Sequence, residues 1–292
     1  MPFAANPKPA STVVLLRDGA GPDRGPEAFL VRRHEGTAFM GGAYVFPGGR
    51  VDERDRDAAE SSWCDGLDIA ISRFPALPAV DAVAFHIAAV RELFEEAGVL
   101  LARDQSGLFV SLTLEGERSR FKTYSAEVHA GTRSLRDVVE REKLRVALDA
   151  LVLFAHWVTP PIDVRQFDTR FFLARVPPHQ TPVHDDQETT DSAWMTPSRA
   201  LDQARSGTIV LPPPTWTTLR ELEPWRSVDE IVAWARNRSI VRRQPLLVEQ
   251  DGLRLLVMPG DPLHPQPADE APRSEVRFAQ IAGRWRAQRP TT

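Results

Sequence analysis

Apolar residues along this chain fall into short runs whose period changes from segment to segment. Residues 12–17 and 28–33 are aliphatic stretches with Gly, Pro and Asp between them, which predicts two strands joined by a loop. Residues 43–46 predict a short strand running into Pro47-Gly48-Gly49, and acidic, polar sequence follows over 52–68. Residues 119–149 read as helical and charged. Residues 151–158 and 169–176 are apolar enough for buried strands, 188–195 predict another strand, and 197–205 a helix. One or two helices are expected over 219–238. Residues 245–248 and 253–258, split by Asp251-Gly252, predict a hairpin. From Pro259 onward Pro and polar residues dominate, and an irregular tail is expected. Interleaved strands and helices of this kind indicate an α/β class with a mixed sheet.

Residues 81–98 carry the clearest helical period. Asp81 suits the N-cap and Gly98 the position that ends the helix. At 100° per residue, Val83, Ile87, Val90, Phe94 and Ala97 fall within about 40° of one direction. Glu92, Glu95 and Glu96 fall within about 60° of the opposite one. Ordinarily such a cluster is a solvated acidic face, but local physics argues against that reading here. Glu95 and Glu96 lie in the last turn, where the helix dipole disfavours anions by about 0.3–1 kcal/mol each. Glu92 and Glu96 form a like-charge pair one turn apart, unfavourable by about 0.2–0.5 kcal/mol. Near 6 Å and an effective dielectric of 20, each glutamate pair repels by about 3 kcal/mol. Only Arg91 is close enough in sequence to offset this. A site that breaks several local rules together is often functional, and a divalent cation would turn the repulsion into attraction.

Composition narrows the reading. With 42% hydrophobic and 26% charged residues the chain is ordinary globular sequence, and a net charge of −4 supplies no basic field for nucleic acid. Cys64 is the single cysteine, so no intrachain disulfide forms, which suits a reducing compartment. No stretch approaches the apolar length of a membrane span, and the expectation is a cytoplasmic protein with neither membrane nor nucleic-acid partner. The seven histidines show no zinc spacing. No Walker or dinucleotide-binding glycine pattern is present.

Arg91-Glu92-Leu93-Phe94-Glu95-Glu96-Ala97-Gly98-Val99 resembles the second half of the Nudix box, and Phe46-Pro47-Gly48-Gly49 resembles its opening. The box places an acid six residues after the second glycine, here Asp55. Residues 56–90 then separate that acid from Arg91, 28 more than the box carries. A long insertion at this point resembles the subgroup that contains the peroxisomal coenzyme A diphosphatases, as do Trp157-Val158-Thr159-Pro160 and Trp194-Met195-Thr196-Pro197. The C-terminal Pro290-Thr291-Thr292 is not the peroxisomal tripeptide signal.

The resemblance implies a Nudix-type α/β/α sandwich with a mixed sheet and helical insertions. One Nudix domain is expected over residues 1–262, with insertions at about 56–80 and 104–150, followed by an irregular tail over 263–292. It further implies Mg²⁺ or Mn²⁺ held by Glu92, Glu95 and Glu96, with Arg91 orienting those glutamates. Gly48 and Gly49 would shape a loop against metal and substrate, and Glu188 is the candidate acid outside the helix. Arg33, Arg165 and Arg170 are candidates for binding phosphate by bidentate contacts. The implied activity is hydrolysis of a phosphoanhydride in a nucleoside diphosphate linked to another group. Coenzyme A or acyl-coenzyme A is the first expectation. ADP-ribose, a dinucleotide or a nucleotide sugar is the alternative in the same class. A catalytically silent Nudix-like module that binds a nucleotide metabolite and regulates is the alternative from another. Many Nudix proteins are dimers, so a homodimer is compatible with the resemblance.

Overall fold

The computed structural model describes residues 6–20, 25–36, 41–58, 62–161, 166–185, 188–267, 277–281 and 284–289. The chain opens with β1 (Lys8–Asp18), β2 (Pro26–Arg33), β3 (Tyr44–Val45), β4 (Gly48–Arg50) and a 3-10 turn over Glu53–Ala58. Then come β5 (Cys64–Asp65), α1 (Leu67–Ser72), α2 (Ala79–Ala97), β6 (Ala102–Arg103), α3 (Glu115–His129), α4 (Leu135–Arg141) and β7 (Arg145–Ala147). The second half holds β8 (Val152–Val158), β9 (Phe167–Arg175), β10 (Thr189–Met195), α5 (Pro197–Ser206), α6 (Pro213–Leu222) and α7 (Val228–Asn237). It ends with β11 (Arg242–Arg243), β12 (Leu246–Gln250), β13 (Leu253–Val257), β14 (Arg277–Ile281) and β15 (Arg284–Gln288).

Eight strands form the main mixed sheet, ordered β10-β2-β1-β9-β8-β11, with β3 on β2 and β4 on β1. β1 runs parallel to β9 over Lys8–Leu16 and antiparallel to β2 and β4. Helices cover both faces of β1, which is why its sequence is a continuous apolar run and not an alternating one. Val13 and Leu15 enter the core under α2. Val14 and Leu16 enter the opposite core, against α5, α6 and α7. The expected α/β/α sandwich with a mixed sheet is therefore present. Among the described residues, no helix is long and apolar enough to cross a membrane.

Three expectations need correction. Residues 145–147, read as helical, form β7, because Val146 pairs with Cys64 of β5 and Ala102 of β6 in a small three-stranded sheet. The C-terminal residues after Pro259 are not wholly irregular: β14 and β15 extend the β12–β13 hairpin into a four-stranded antiparallel sheet. That hairpin turns, as expected, at Asp251-Gly252, both at positive φ. Finally, α2 starts at Ala79 after Pro78, two residues ahead of Asp81, while Gly98 ends it in the left-handed conformation expected of a C-terminal cap.

Residues 104–150, whose place the sequence leaves open, pack α3 and α4 onto the outside of α2 through Phe121, Tyr124, Val128 and Val138. The Ser125 hydroxyl donates to the carbonyls of Phe94 and Glu95 at 2.8 and 3.3 Å, serving the last turn of α2.

Candidate active site

Arg91 is the hub of the site. Its guanidinium has five N–H groups, and five hydrogen bonds leave it. Nε and Nη2 donate to the two carboxylate oxygens of Asp55, each at 2.9 Å. Nη1 donates to Glu92 at 2.8 Å and Glu95 at 3.0 Å, and Nη2 also donates to the Arg50 carbonyl at 2.7 Å. Asp55 is 2% exposed and Arg91 9%, so this is a buried bidentate pair and not a surface contact. Burial opposes the charge on Arg91, but the hydrogen bonds to Asp55 and the charges of Glu92, Asp55 and Glu95 hold its pKa above the usual range. The acid ahead of the insertion and the arginine behind it thus meet despite the 35 residues between them.

The glutamates are not an open, solvated acidic face, in line with the repulsion that argued against one in the sequence. Glu95 and Glu96 are 8% and 7% exposed. α3 covers one side, placing His129 Nδ1 3.6 Å from Glu95. β4 covers the other, where the Gly48 N–H donates to Glu96 at 3.0 Å. Burial pushes the Glu92 carboxyl up to about 7 against the pull of Arg91, and the charge of Glu95 adds to the rise. Burial also raises Glu95 against the pull of Arg91. Burial and then the charge of Glu92 push Glu96 well above the carboxylate range.

The two glycines are explained by space. A Cβ on Gly48 would lie 2.4 Å from the Ser11 carbonyl and 2.7 Å from Thr12 Cα. One on Gly49 would lie 2.5 Å from the Glu92 carboxylate. Glycine at these positions lets β4 sit against β1 while α2 presses its glutamates onto β4.

A cleft of about 600 Å³ opens here, reached by Gly48, Gly49, Arg50, Arg91, Glu92, Glu95, Glu96, Arg33, Glu188 and His129. Its far part runs over the face of the main sheet opposite α2. Strand parity decides who reaches it. On β1, Ala10 and Thr12 line the cleft, while the Ser11 hydroxyl points to the other face and donates to the Phe85 carbonyl of α2 at 2.6 Å. On β9, Phe167, Thr169 and Phe171 line it. On β8, a register shift between Leu153 and Ala155 brings Trp157 onto this face. Pro212 to Pro214 at the start of α6, Pro245, Leu256 and Trp285 close the cleft from above.

Of the ten expected site residues, nine lie among the described residues, and eight of these border this cleft; Arg170 does not. Its odd-numbered neighbours on β9 face the cleft, so Arg170 points to the opposite side. There it is 8% exposed, ion-pairs with Asp168, and stands 4.8 Å from the Phe85 ring centroid. Asp168 in turn accepts from, or pairs with, His156 at 2.8 Å. Arg33 does line the cleft; its Nε is buried with no hydrogen bond among the described residues. Glu188 is exposed at the rim, in the loop ahead of β10. Arg165 lies outside the described residues. Local motifs did not single out His129, Leu256 or Trp285. His129 arrives from the insertion, Leu256 from the expected hairpin and Trp285 from the tail, where no motif marks them.

A Gly-Gly strand pressed by a glutamate-bearing helix at the edge of an α/β/α sandwich is the architecture of a Nudix protein. The profile of the NUDT19 Nudix domain matches residues 72–222, just over half of the chain, and the chain belongs to that family. It is 33% identical over 294 residues to acyl-coenzyme A diphosphatase NUDT19 of Homo sapiens, covering 85% of this chain and 75% of that protein. The NUDT19 acyl-coenzyme A diphosphatase of Xenopus laevis is 27% identical, covering 83% and 72% respectively. Among solved structures, a Nudix hydrolase from Alicyclobacillus acidocaldarius aligns with a TM-score of 0.66 at 26% identity, over 79% of this chain and 97% of that one.

Proposed function

We propose that this protein is a divalent-cation-dependent diphosphatase that hydrolyses the phosphoanhydride bond of coenzyme A or an acyl-coenzyme A. The observation that carries the reading is the cluster of Glu92, Glu95 and Glu96, the first two held by Arg91 and the third by the Gly48 N–H, at the end of a cleft that is otherwise largely apolar. The names of the relatives support the substrate.

The donor chemistry fits a hard cation. Carboxylates are held together in a buried place where burial and mutual repulsion raise their pKa values, and a divalent ion would relieve both. Mg²⁺ binds through carboxylate oxygens and completes its shell with water and substrate phosphate. Glu92, Glu95 and Glu96 would hold it. When bound, it would neutralise diphosphate oxygens and make a water more acidic.

The chain's own residues do the rest. Arg91 fixes the rotamers of Glu92 and Glu95, and Asp55 fixes Arg91. The Gly48 N–H fixes Glu96. Arg33, beside Glu96, meets the diphosphate with its guanidinium. Glu188 accepts the proton of the attacking water. Water adds to phosphorus, the bridging P–O bond breaks, and two phosphorylated fragments leave.

The test is to incubate the purified protein with Mg²⁺ or Mn²⁺ and coenzyme A, acyl-coenzyme A, ADP-ribose, NADH, diadenosine polyphosphates and nucleoside triphosphates. Products are read by mass, with Glu96→Gln as control. Release of adenosine 3′,5′-bisphosphate and phosphopantetheine, lost in Glu96→Gln, is the expected result. Turnover of another compound alone would remove the coenzyme A reading. No turnover by a folded sample would favour a binding module.

A further inference from the structure

Strand parity carries two further cations to the mouth of the cleft. Arg50, the last residue of β4, pairs with Ala10 of β1, while Gly49 pairs with Ser11 and Gly48 with Thr12. Ala10 and Thr12 line the cleft, whereas Gly49 presses on Glu92 of α2. Paired residues of an antiparallel ladder share a face, so Arg50 stands on the cleft side, and it lines the cleft. Lys8, two residues before Ala10 on β1, takes the same face. Its partner on β9, Phe167, lines the cleft as well. Lys8 is thus a diagonal neighbour of Arg50, about 7–8 Å away across the ladder. Both are exposed, and among the described residues neither side chain makes an ion pair or a hydrogen bond. Asp52, the exposed acid that also borders the cleft, pairs with neither. The cations nearer the glutamates are committed to them. Arg91 serves Asp55, Glu92 and Glu95, His129 faces Glu95, and the charge of Arg33 acts on Glu96. The hydrogen bond from Arg91 to the Arg50 carbonyl, at 2.7 Å, fixes where the Arg50 side chain starts. That point is two residues, about 7 Å, along β4 from the Gly48 N–H that holds Glu96.

We propose that Lys8 and Arg50 form a subsite for a phosphomonoester carried on the ribose of the substrate, separate from the diphosphate. This rests on the coenzyme A reading and concerns the 3′-phosphate of that molecule, which the glutamate end leaves unserved. A phosphomonoester carries close to two negative charges at neutral pH. Beside the glutamates it would be repelled. Lys8 and Arg50 meet it on the sheet side, with β4 between them and α2. The Arg50 guanidinium takes two phosphate oxygens through its fork, and the Lys8 ammonium adds a point charge. The offset of about 7 Å along β4 is of the order that separates a 5′-diphosphate from a 3′-phosphate on one ribose. The group is remote from the reacting phosphorus and its contacts are the same before and during reaction. The subsite therefore favours coenzyme A over dephospho-coenzyme A through KM and not through kcat.

The experiment uses the full chain with Mg²⁺ and two matched pairs of compounds. Coenzyme A and dephospho-coenzyme A are compared as substrates. Adenosine 3′,5′-bisphosphate and adenosine 5′-monophosphate are compared as ligands by calorimetry, which needs no turnover. The variants are Arg50→Gln, Lys8→Gln and, as control, Lys122→Gln, which removes one exposed positive charge on α3. The unaltered protein should favour the 3′-phosphorylated member of each pair. Arg50→Gln should reduce that preference about tenfold and Lys8→Gln about threefold, the scale of a charge-assisted contact at an exposed site. In the hydrolysis the change should appear in KM. Lys122→Gln should leave the preference within about twofold. A preference absent from the unaltered protein, surviving both substitutions, or falling equally in Lys122→Gln would overturn the proposal. A bisphosphate preference that falls in Arg50→Gln, without any hydrolysis of coenzyme A, would remove the coenzyme A reading and leave the subsite standing. Equal hydrolysis of coenzyme A and dephospho-coenzyme A, with no bisphosphate preference, would keep the diphosphatase and remove the subsite.

Discussion

Replacing Asp55 with alanine tests the central geometric claim, that the split box is rejoined by a buried ion pair. The substitution removes two charge-assisted hydrogen bonds to Arg91, at Nε and Nη2. Hydrogen bonds to charged groups contribute about 1.5–3 kcal/mol each, giving a gross loss of about 3–6 kcal/mol. Two effects reduce it. Arg91 keeps Glu92 and Glu95 as counter-charges, and Asp55's own burial no longer has to be offset. A net destabilisation of about 3 kcal/mol is expected, at the lower end of what breaking a buried pair costs. Urea unfolding would read it as a lower midpoint at unchanged slope. Hydrolytic rate should fall about 10–100-fold, the scale for losing a residue that orients ligands. Glu53→Ala is the control: that side chain is 90% exposed and pairs only with Arg56 among the described residues, so its effect should stay within about 0.5 kcal/mol. If Asp55→Ala matched this control in stability and kept its rate, Arg91 would not depend on Asp55 and the reasoning would fail.

Other expectations follow from neighbouring details. Gly49→Ala puts a methyl against the movable end of Glu92, so turnover should fall with little change in the urea midpoint, whereas Gly48→Ala meets backbone and should lower the unfolding free energy by about 1–3 kcal/mol, read as a lower midpoint. His86, 1% exposed, has its pKa lowered to about 4 by burial. The folded protein therefore keeps it neutral while the unfolded chain protonates it below pH 6.5, and stability is lost as pH falls from 6.5 towards 4. Between pH 7 and 5 this amounts to about 2 kcal/mol. His86→Phe should lose that much less stability over the same interval; an identical loss would refute the assignment. Arg170→Ala should lower stability through its lost contacts with Asp168 and Phe85, while the KM for diphosphate substrates stays put; a raised KM would return Arg170 to the cleft.

The glutamate face of α2 was legible because helical period and charge repulsion are local properties. Its burial was not, because the cover comes from α3 and β4, at sequence distances no periodicity spans. The role of Asp55 was half legible: its offset from Gly49 marked it, but only the folded turn over Glu53–Ala58 shows that it clamps Arg91. Arg170 was misread because charge on a strand says nothing about which face it takes; parity with Phe171 does. Residues 277–281 and 284–288 were read as tail because five-residue strands after a Pro-rich stretch carry little signal of their own. They are strands because the β12–β13 hairpin offers them an edge, and Trp285 was lost with them.

The meeting of Asp55 and Arg91 also has a meaning for how this chain came to tolerate its interruption. Lengthening a connection from 7 to 35 residues raises the entropy of closing it by (3/2)RT ln 5, about 1.4 kcal/mol. The clamp that closes it is expected to contribute about twice that. Once such a latch existed, the segment between its two halves was thermodynamically free to grow, acquire β5 and α1, and diverge, without the catalytic helix registering its length. By the same account, the part of the segment ahead of α2 should be exchangeable for a shorter or unrelated one, provided both sides of the latch are kept and the core contacts of residues such as Trp63 and Phe74 are replaced.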